Sequence, residues 1–307
     1  MRVVLAGAAG FVGSHLAAEL LSRGDEVVAV DNYLTGRPEN IRALGESPGL
    51  SVVEHDITQP LHVTGPVDAV INLASPASPP DYMRHPLATL DAGTAGTRAL
   101  LELAAEKAAR FLLGSTSEVY GDPSVHPQPE EYWGNVNPVG PRSVYDEAKR
   151  CAEAYTMAYH RAGVDTRIAR IFNTYGERMR PDDGRAIPNF IAQALRDSAV
   201  TVYGDGSQTR SLCYVSDLVD GLLRLLAGEE SRPVNLGSQE EVTIRDLAER
   251  IIALTGAGHI VFRPLPEDDP QQRRPDTTRA LESLAWSPKV SLVDGLQRTL
   301  RWFRTVV

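Results

Sequence analysis

A glycine-rich turn near the start of the chain constrains its fold most. Leu5-Ala6-Gly7-Ala8-Ala9-Gly10-Phe11-Val12-Gly13 joins a short apolar run, residues 2–6, to an amphipathic run, residues 13–23. Leu16, Leu20 and Leu21 share one face of that second run, and Gly24 stops it. The glycines permit a tight turn and let the backbone approach a pyrophosphate. The following helix offers amide donors and a favourable dipole to the same anion. The next apolar run, residues 26–30, ends in Asp31-Asn32. A carboxylate there can accept hydrogen bonds from a ribose 2′-hydroxyl and would repel a 2′-phosphate. The pattern predicts a site for NAD built from Gly7, Gly10, Phe11, Val12, Gly13, Asp31 and Asn32. Asp56 and Ile57, after a third strand, suit an adenine contact, and Leu73 and Ala74 complete the set. Arg37, close by, is a cation that speaks the other way.

Apolar runs at 51–54, 69–73, 111–114 and 167–171 alternate with helical stretches at 95–109 and 145–161. Such alternation predicts an α/β fold, a Rossmann-type doubly wound parallel sheet covered on both faces. Past Asn173 the character changes. Residues 175–186 are polar with no clean period, 215–226 read as helix, 233–236 as a short strand and 243–254 as an amphipathic helix. Residues 264–275, with four prolines and three acidic residues, read as a loop. The expected division is a cofactor domain over 1–173, with returning segments near 211–238. A smaller, interwoven substrate lobe takes 174–210 and 239–307.

With 307 residues, 42% of them hydrophobic, the chain can bury a substantial core. Its net charge of −9 argues against a nucleic-acid-coating surface. Cys151 and Cys213 are too few for a disulfide framework and suggest no metal site. No apolar run has membrane-spanning length, and the N-terminus does not read as a signal peptide. The expectation is a soluble, cytoplasmic protein without nucleic-acid or membrane partners.

Tyr145-Asp-Glu-Ala-Lys149 puts a phenol and an ammonium at i and i+4, on one helix face. A nearby cation favours the phenolate, so Tyr145 is expected to act as a base with Lys149 lowering its pKa. The run Ser115-Thr116-Ser117 offers hydroxyls to a substrate. Each signal alone is weak; their order along the chain gives them weight.

That order, glycine turn, Ser/Thr run and Tyr-x-x-x-Lys, resembles the extended short-chain dehydrogenase/reductase superfamily. A narrower likeness rests on Leu73-Ala-Ser-Pro-Ala-Ser-Pro-Pro-Asp-Tyr-Met83, Ser115-Thr-Ser-Glu-Val-Tyr-Gly-Asp-Pro123, Arg170-Ile-Phe-Asn-Thr174, Gln208-Thr-Arg210 and Asp268-Asp-Pro-Gln-Gln-Arg-Arg-Pro-Asp276. These segments resemble the UDP-glucuronate decarboxylases, also called UDP-xylose synthases, over nearly the whole chain. The resemblance implies oxidation at the sugar C4, loss of carbon dioxide from the resulting β-keto acid, protonation at C5 and re-reduction at C4. It implies a UDP-sugar substrate, an NAD that is not consumed, and a homodimer through a four-helix bundle from the helices near 95 and 145.

The resemblance also implies roles. Tyr145 is the base, and Thr116 or Ser117 hydrogen-bonds the C4 oxygen. Glu118 and Arg273 assist decarboxylation and protonation, with Arg274 the neighbouring alternative. Arg142, three residues before Tyr145, is placed by its own position to grip the sugar carboxylate bidentately, and Pro79, Pro80 and Tyr82 are expected to line the sugar pocket. Asn173, Arg185, Tyr203, Gln208 and Arg210 lie near UDP, Arg210 on the diphosphate and Tyr203 on the uracil. Ser117-Glu118 stands where related 4,6-dehydratases carry an adjacent acid pair and 4-epimerases a small residue. Such enzymes are the near alternatives; a non-catalytic NAD-sensing module is the remote one. The chain departs from the family pattern at Tyr175 and Glu177, and at Gly93, where Asn is common. A site softened at Gly93 would release some UDP-4-keto-pentose.

Overall fold

Strand and helix alternate through the first half of the chain as its apolar periodicities require. In the computed structural model, which describes residues 1–265 and 271–307, that half runs β1 (Arg2–Ala6), α1 (Phe11–Ser22), β2 (Glu26–Asp31), α2 (Pro38–Arg42), β3 (Leu50–Glu54), β4 (Ala69–Asn72), α3 (Pro79–Arg84), α4 (Pro86–Asp91), α5 (Thr97–Lys107), β5 (Arg110–Thr116), α6 (Ser143–Arg161) and β6 (Thr166–Ile171). A wide π-type turn, Ala92–Gly96, leads into α5, and a 3₁₀ turn, Ser117–Tyr120, follows β5. The second half runs β7 (Thr174–Tyr175), α7 (Ala186–Leu195), β8 (Ala199–Tyr203), β9 (Thr209–Ser211), β10 (Cys213–Tyr214), α8 (Val215–Ala227), β11 (Val234–Leu236), β12 (Glu241–Thr243), α9 (Ile244–Thr255), β13 (His259–Arg263), β14 (Gln272–Arg273), α10 (Thr278–Leu284) and α11 (Leu292–Phe303).

Seven parallel strands pair in the order β11–β6–β5–β4–β1–β2–β3. Both faces are covered, so the inner strands are continuously apolar, and Val3, Val4, Leu5 and Ala6 of β1 are fully buried. From β1 the chain winds out through β2 and β3, then returns to the other side of β1 at β4. The topological switch point thus lies between β1 and β4, where Ala6 stands opposite Asn72. Ligands of such sheets bind at the carboxyl ends of the strands at that point.

One apolar core joins the α1 face of the sheet to the second half. It runs from Leu16 and Leu20 through Leu218 and Leu222 to Leu247, Ile251 and Leu296. A second core, with Leu100, Leu101 and Ile168, fills the opposite face. The remaining strands form small sheets beyond the carboxyl ends: β12–β9–β14, β13–β8 and β10–β7.

The structure departs from the expected elements in places. The helix expected at 95–109 begins only at Thr97, because Ala92–Gly96 is a π-type turn. Residues 264–275 are not a loop throughout: Gln272 and Arg273 pair in parallel with Thr209 and Arg210. Residues 266–270, with the Asp268-Asp269 part of the quoted motif, lie outside the described residues. Among the described residues no helix is long and apolar enough to cross a membrane.

Candidate active site

The cradle after β1 is shaped for a diphosphate. Gly7 sits at φ +80°, and a Cβ there would come 2.7 Å from the Ala74 backbone nitrogen. Gly13 is held tighter still, since its Cβ would lie 2.0 Å from the Gly7 carbonyl oxygen. Gly10 caps α1 with no side chain of its own, and a Cβ there would meet only the Gly7 oxygen, at 3.1 Å. The first-turn amides of α1 have no partner within the helix, as at any helix start, and can serve a bound anion. Phe11, Val12 and Leu73 continue this wall into the main cavity. Asp31, at the end of β2, accepts from the amides of Ala9 and Tyr33, each at 2.9 Å. Burial pushes its carboxyl up and those amides hold it back. Arg37 turns its guanidinium to Glu39 at 3.5 Å. Asn32 donates to Asp56 at 3.1 Å, and Ile57 is buried under Gly96. The residues present fit an NAD lying across the switch point.

The main cavity, about 520 Å³, opens beside this cradle. Tyr145 and Lys149 reach it from α6, and Thr116 and Ser117 from the end of β5 and the turn after it. Lys149 donates to the Gly114 carbonyl at 2.8 Å, and its nitrogen lies 5.9 Å from the Tyr145 ring centroid. The Tyr145 phenol is raised from its ordinary value, not lowered. Burial drives it up, and Glu118 and Asp146 add to that; the Thr116 hydroxyl and Arg185 pull the other way. Burial also depresses Lys149, to about 8. The expected lowering of the phenol fails because spacing along a helix carries no information about desolvation. Ser115 is not free for a substrate either, since its hydroxyl donates to Glu153 at 2.6 Å.

Glu118 joins two cations. One oxygen accepts from Arg142 at 2.8 Å and the other from Arg273. Burial pushes the Glu118 carboxyl up, but the two guanidiniums outweigh it and hold the group well below the usual carboxylate range. Arg273 is 2% exposed and also donates to the Gly121 carbonyl at 2.9 Å. Arg274 points away from the cavity toward Glu241, at 3.6 Å. Arg273, not its neighbour, thus lies in the site. One carboxylate between two guanidiniums leaves the cluster with a net positive charge.

Tyr82, on α3, stacks on Tyr145 with ring centroids 5.3 Å apart and planes 6° from parallel. Pro79 and Pro80 line the same wall. At the other end Asn173, Arg185, Tyr203, Gln208 and Arg210 all face the cavity. Arg185 pairs with Asp183 at 2.5 Å at the start of α7. Tyr203 is 44% exposed at the end of β8, and its carbonyl accepts from Gln208 at 2.8 Å. Gly93 lies outside the cavity, pressed on α6: a Cβ there would come 2.6 Å from the Ala148 Cβ.

Spacing and motif missed two features. Asp146, beside Tyr145, is a buried carboxyl whose Oδ1 has no hydrogen-bond partner. Its signal was its place inside the Tyr-x-x-x-Lys window, where only the ends carry the pattern. Apolar residues of the second half, among them Leu212, Ile244 and Leu247, also line the cavity. They come from elements whose packing the local pattern does not reveal.

Comparison with known proteins agrees with this geometry. The model of the NAD dependent epimerase/dehydratase family matches residues 3–237. UDP-glucuronic acid decarboxylase 2 of Arabidopsis thaliana is 54% identical over 306 residues, 99% of this chain and 68% of that protein. UDP-glucuronic acid decarboxylase 1 of Danio rerio is 52% identical over 304 residues, 98% of this chain and 72% of that protein. Among solved structures, dTDP-glucose 4,6-dehydratase from Streptomyces venezuelae, with NAD bound, is 28% identical, with a TM-score of 0.90, 99% of this chain and 97% of that one covered.

Proposed function

The chain belongs to the NAD dependent epimerase/dehydratase family, and from that premise we propose that it is an NAD-dependent decarboxylase of UDP-glucuronate. The product is UDP-xylose, reached through a UDP-4-keto sugar. The observation that carries this reading is the Arg142–Glu118–Arg273 cluster beside Tyr145. Its net positive charge suits a sugar that brings its own carboxylate.

NAD held along the cradle by Gly7, Gly10, Gly13 and Asp31 would supply the acceptor, and later the donor, of the C4 hydrogen as hydride. Tyr145 removes the O4 proton as that hydrogen leaves, with Thr116 or Ser117 hydrogen-bonding the same oxygen. Because burial disfavours the free phenolate, proton transfer is coupled to the oxidation. Lys149, poised near 8, can share the proton with Tyr145. The C4 ketone is β to the C6 carboxylate, so carbon dioxide departs and its electron pair delocalises into the ketone as an enolate. Arg142 and Arg273 hold the carboxylate and offset the enolate's charge, and Glu118 fixes both guanidiniums. Arg210 faces the diphosphate and the exposed Tyr203 ring covers the uracil.

We extend the proposal to a homodimer in which α5 and α6 of each subunit form a four-helix bundle. Support comes from exposed Arg98 and Glu102 on α5 beside half-buried Tyr155 and Tyr159 on α6. Light scattering on the purified chain tests it, and a monomer at micromolar concentration would refute it. Incubation with UDP-glucuronate and NAD, followed by mass spectrometry of the sugar nucleotides, tests the activity.

A further inference from the structure

On the proposed reaction the sugar is oxidised at C4, loses carbon dioxide and is reduced again at C4. The keto sugar and the cofactor must both stay seated between the two halves of that cycle. A side chain bonded to the walls of both sites meets this demand.

Arg180 is such a side chain. It lies in the polar stretch between β7 and α7, and its guanidinium reaches two distant segments. One nitrogen donates to the Asp81 Oδ2 at 2.7 Å, and another to the Thr35 carbonyl at 3.5 Å. Asp81 and Thr35 stand 99 and 145 residues away in sequence. Asp182 also approaches the Arg180 Nε, at 3.6 Å, but it is largely exposed and adds little.

Each contact leads to a different site. Residues 33–37 wrap the cofactor cradle. The Tyr33 amide donates to Asp31 at 2.9 Å and the Arg37 amide to the Ala9 carbonyl at 3.0 Å. A Cβ on Gly36 would come 2.6 Å from the Asp31 Oδ1. Asp81 is in the first turn of α3, 6% exposed, and its Oδ2 also accepts from the Ser78 hydroxyl at 2.7 Å. Its neighbours Pro79, Pro80 and Tyr82 line the sugar cavity. The backbone makes a third link. The Arg180 carbonyl accepts from the Asp183 amide at 3.1 Å, and Asp183 holds Arg185, which faces the cavity. The same loop lies directly on α3, since a Cβ on Gly184 would come 2.4 Å from the Pro80 Cγ.

We propose that Arg180 couples the two sites, so that a seated UDP sugar holds NAD in its cradle and NAD holds the UDP sugar. The proposal rests on the reading above in taking a UDP sugar as the second ligand. Arg180 does not line the cavity; it is a positioning residue that acts through Asp81, Asp183 and Thr35. A ligand drawn against Arg185 and α3 fixes Asp183 and Asp81. Those carboxylates fix the guanidinium, which closes on the 33–37 loop. The planar fork of an arginine can hold a carboxylate and a carbonyl at once in set directions. Removing either end of the Arg180–Asp81 pair unties the loop from α3.

The test is calorimetry of the protein freed of nucleotide: NAD binding with and without saturating UDP, and UDP binding with and without saturating NAD. In wild type, UDP should tighten NAD at least about fivefold, the lower end of usual coupling between sites, and NAD should tighten UDP by the same factor. Arg180→Gln should bring both factors below about twofold. Asp81→Asn should do the same, and the double variant should lose no more than either single one, as for two ends of one contact. Binding of NAD alone shows that a variant is folded, and if Asp81→Asn does not fold, Arg180→Gln decides alone. A merely structural role would weaken one ligand and leave the coupling factor at its wild-type value, and that result overturns the proposal. A wild type that binds the two ligands independently overturns it as well. A wild type that binds NAD but not UDP overturns the nucleotide-sugar reading and this proposal with it.

Discussion

Tyr145, Glu118 and Lys149 each make a separable demand at the residue scale. Removing the phenolic oxygen with Tyr145→Phe should lower turnover by about 10²–10⁴-fold, the usual contribution of a positioned acid–base group, while NAD binding persists. Glu118→Ala leaves two neighbouring guanidiniums without their shared carboxylate. It should slow carbon dioxide release and cost about 3–5 kcal/mol in denaturant unfolding, as breaking a buried pair does. A variant that decarboxylates at the wild-type rate removes Glu118 from the mechanism. Lys149 gives a pH signature. Its folded value near 8 lies below the 10.5 of the free side chain. Below 8 both states are protonated and the burial penalty is fully present; between 8 and 10.5 the unfolded chain binds more protons, so stability rises with pH. Lys149→Met should remove that rise from melting curves of the unliganded protein, and an unchanged slope would count against a buried ammonium. The Tyr145–Lys149 pair was legible because its signal is local, an i, i+4 spacing. The Arg273–Glu118 contact spans 155 residues of sequence and has no local signal, so only the family resemblance pointed to it.

Two glycines set the geometry at the element scale. Gly13→Ala would drive a Cβ to within 2.0 Å of a backbone oxygen. It should abolish NAD binding by fluorescence titration and lower the melting temperature. Gly93 is where the π-type turn presses on α6, between the turns that carry Tyr145 and Lys149. Gly93→Asn would put a Cβ 2.6 Å from the Ala148 Cβ and 2.7 Å from its carbonyl oxygen. Overpacking of this kind costs about 1–3 kcal/mol, and here the displaced element carries the base, so activity should fall with stability. An Asn variant as stable and active as wild type would show that α6 yields freely. The geometry makes Gly93 a point of close contact with α6. The early strands and helices were legible because the alternation of apolar runs is a strong local pattern. β14 was not, because two residues among prolines form a strand only when β9 lies alongside. The helix α7 begins at Ala186, at the end of a stretch without a clean period.

Across the whole molecule, the shared core explains how one cavity draws on both halves of the chain. Leu218 and Leu222 of α8 pack with the α1 face of the large sheet, and Leu247 and Leu296 continue the same core. The wall that carries Tyr203 and Arg210 is thereby held at a fixed distance from the cradle that carries Gly7 and Gly10. The anionic chain, at −9, binds an anionic nucleotide sugar only because arginines are gathered at the cavity. Oxidation at C4 serves loss of carbon dioxide. This is tested most directly by incubating the chain with UDP-glucuronate and catalytic NAD and weighing the sugar nucleotides by mass spectrometry. The account predicts UDP-xylose, lighter than the substrate by one carbon dioxide, with no net reduction of NAD. A product of unchanged mass, the C4 epimer, or one that has lost water and kept its carboxylate, would contradict it.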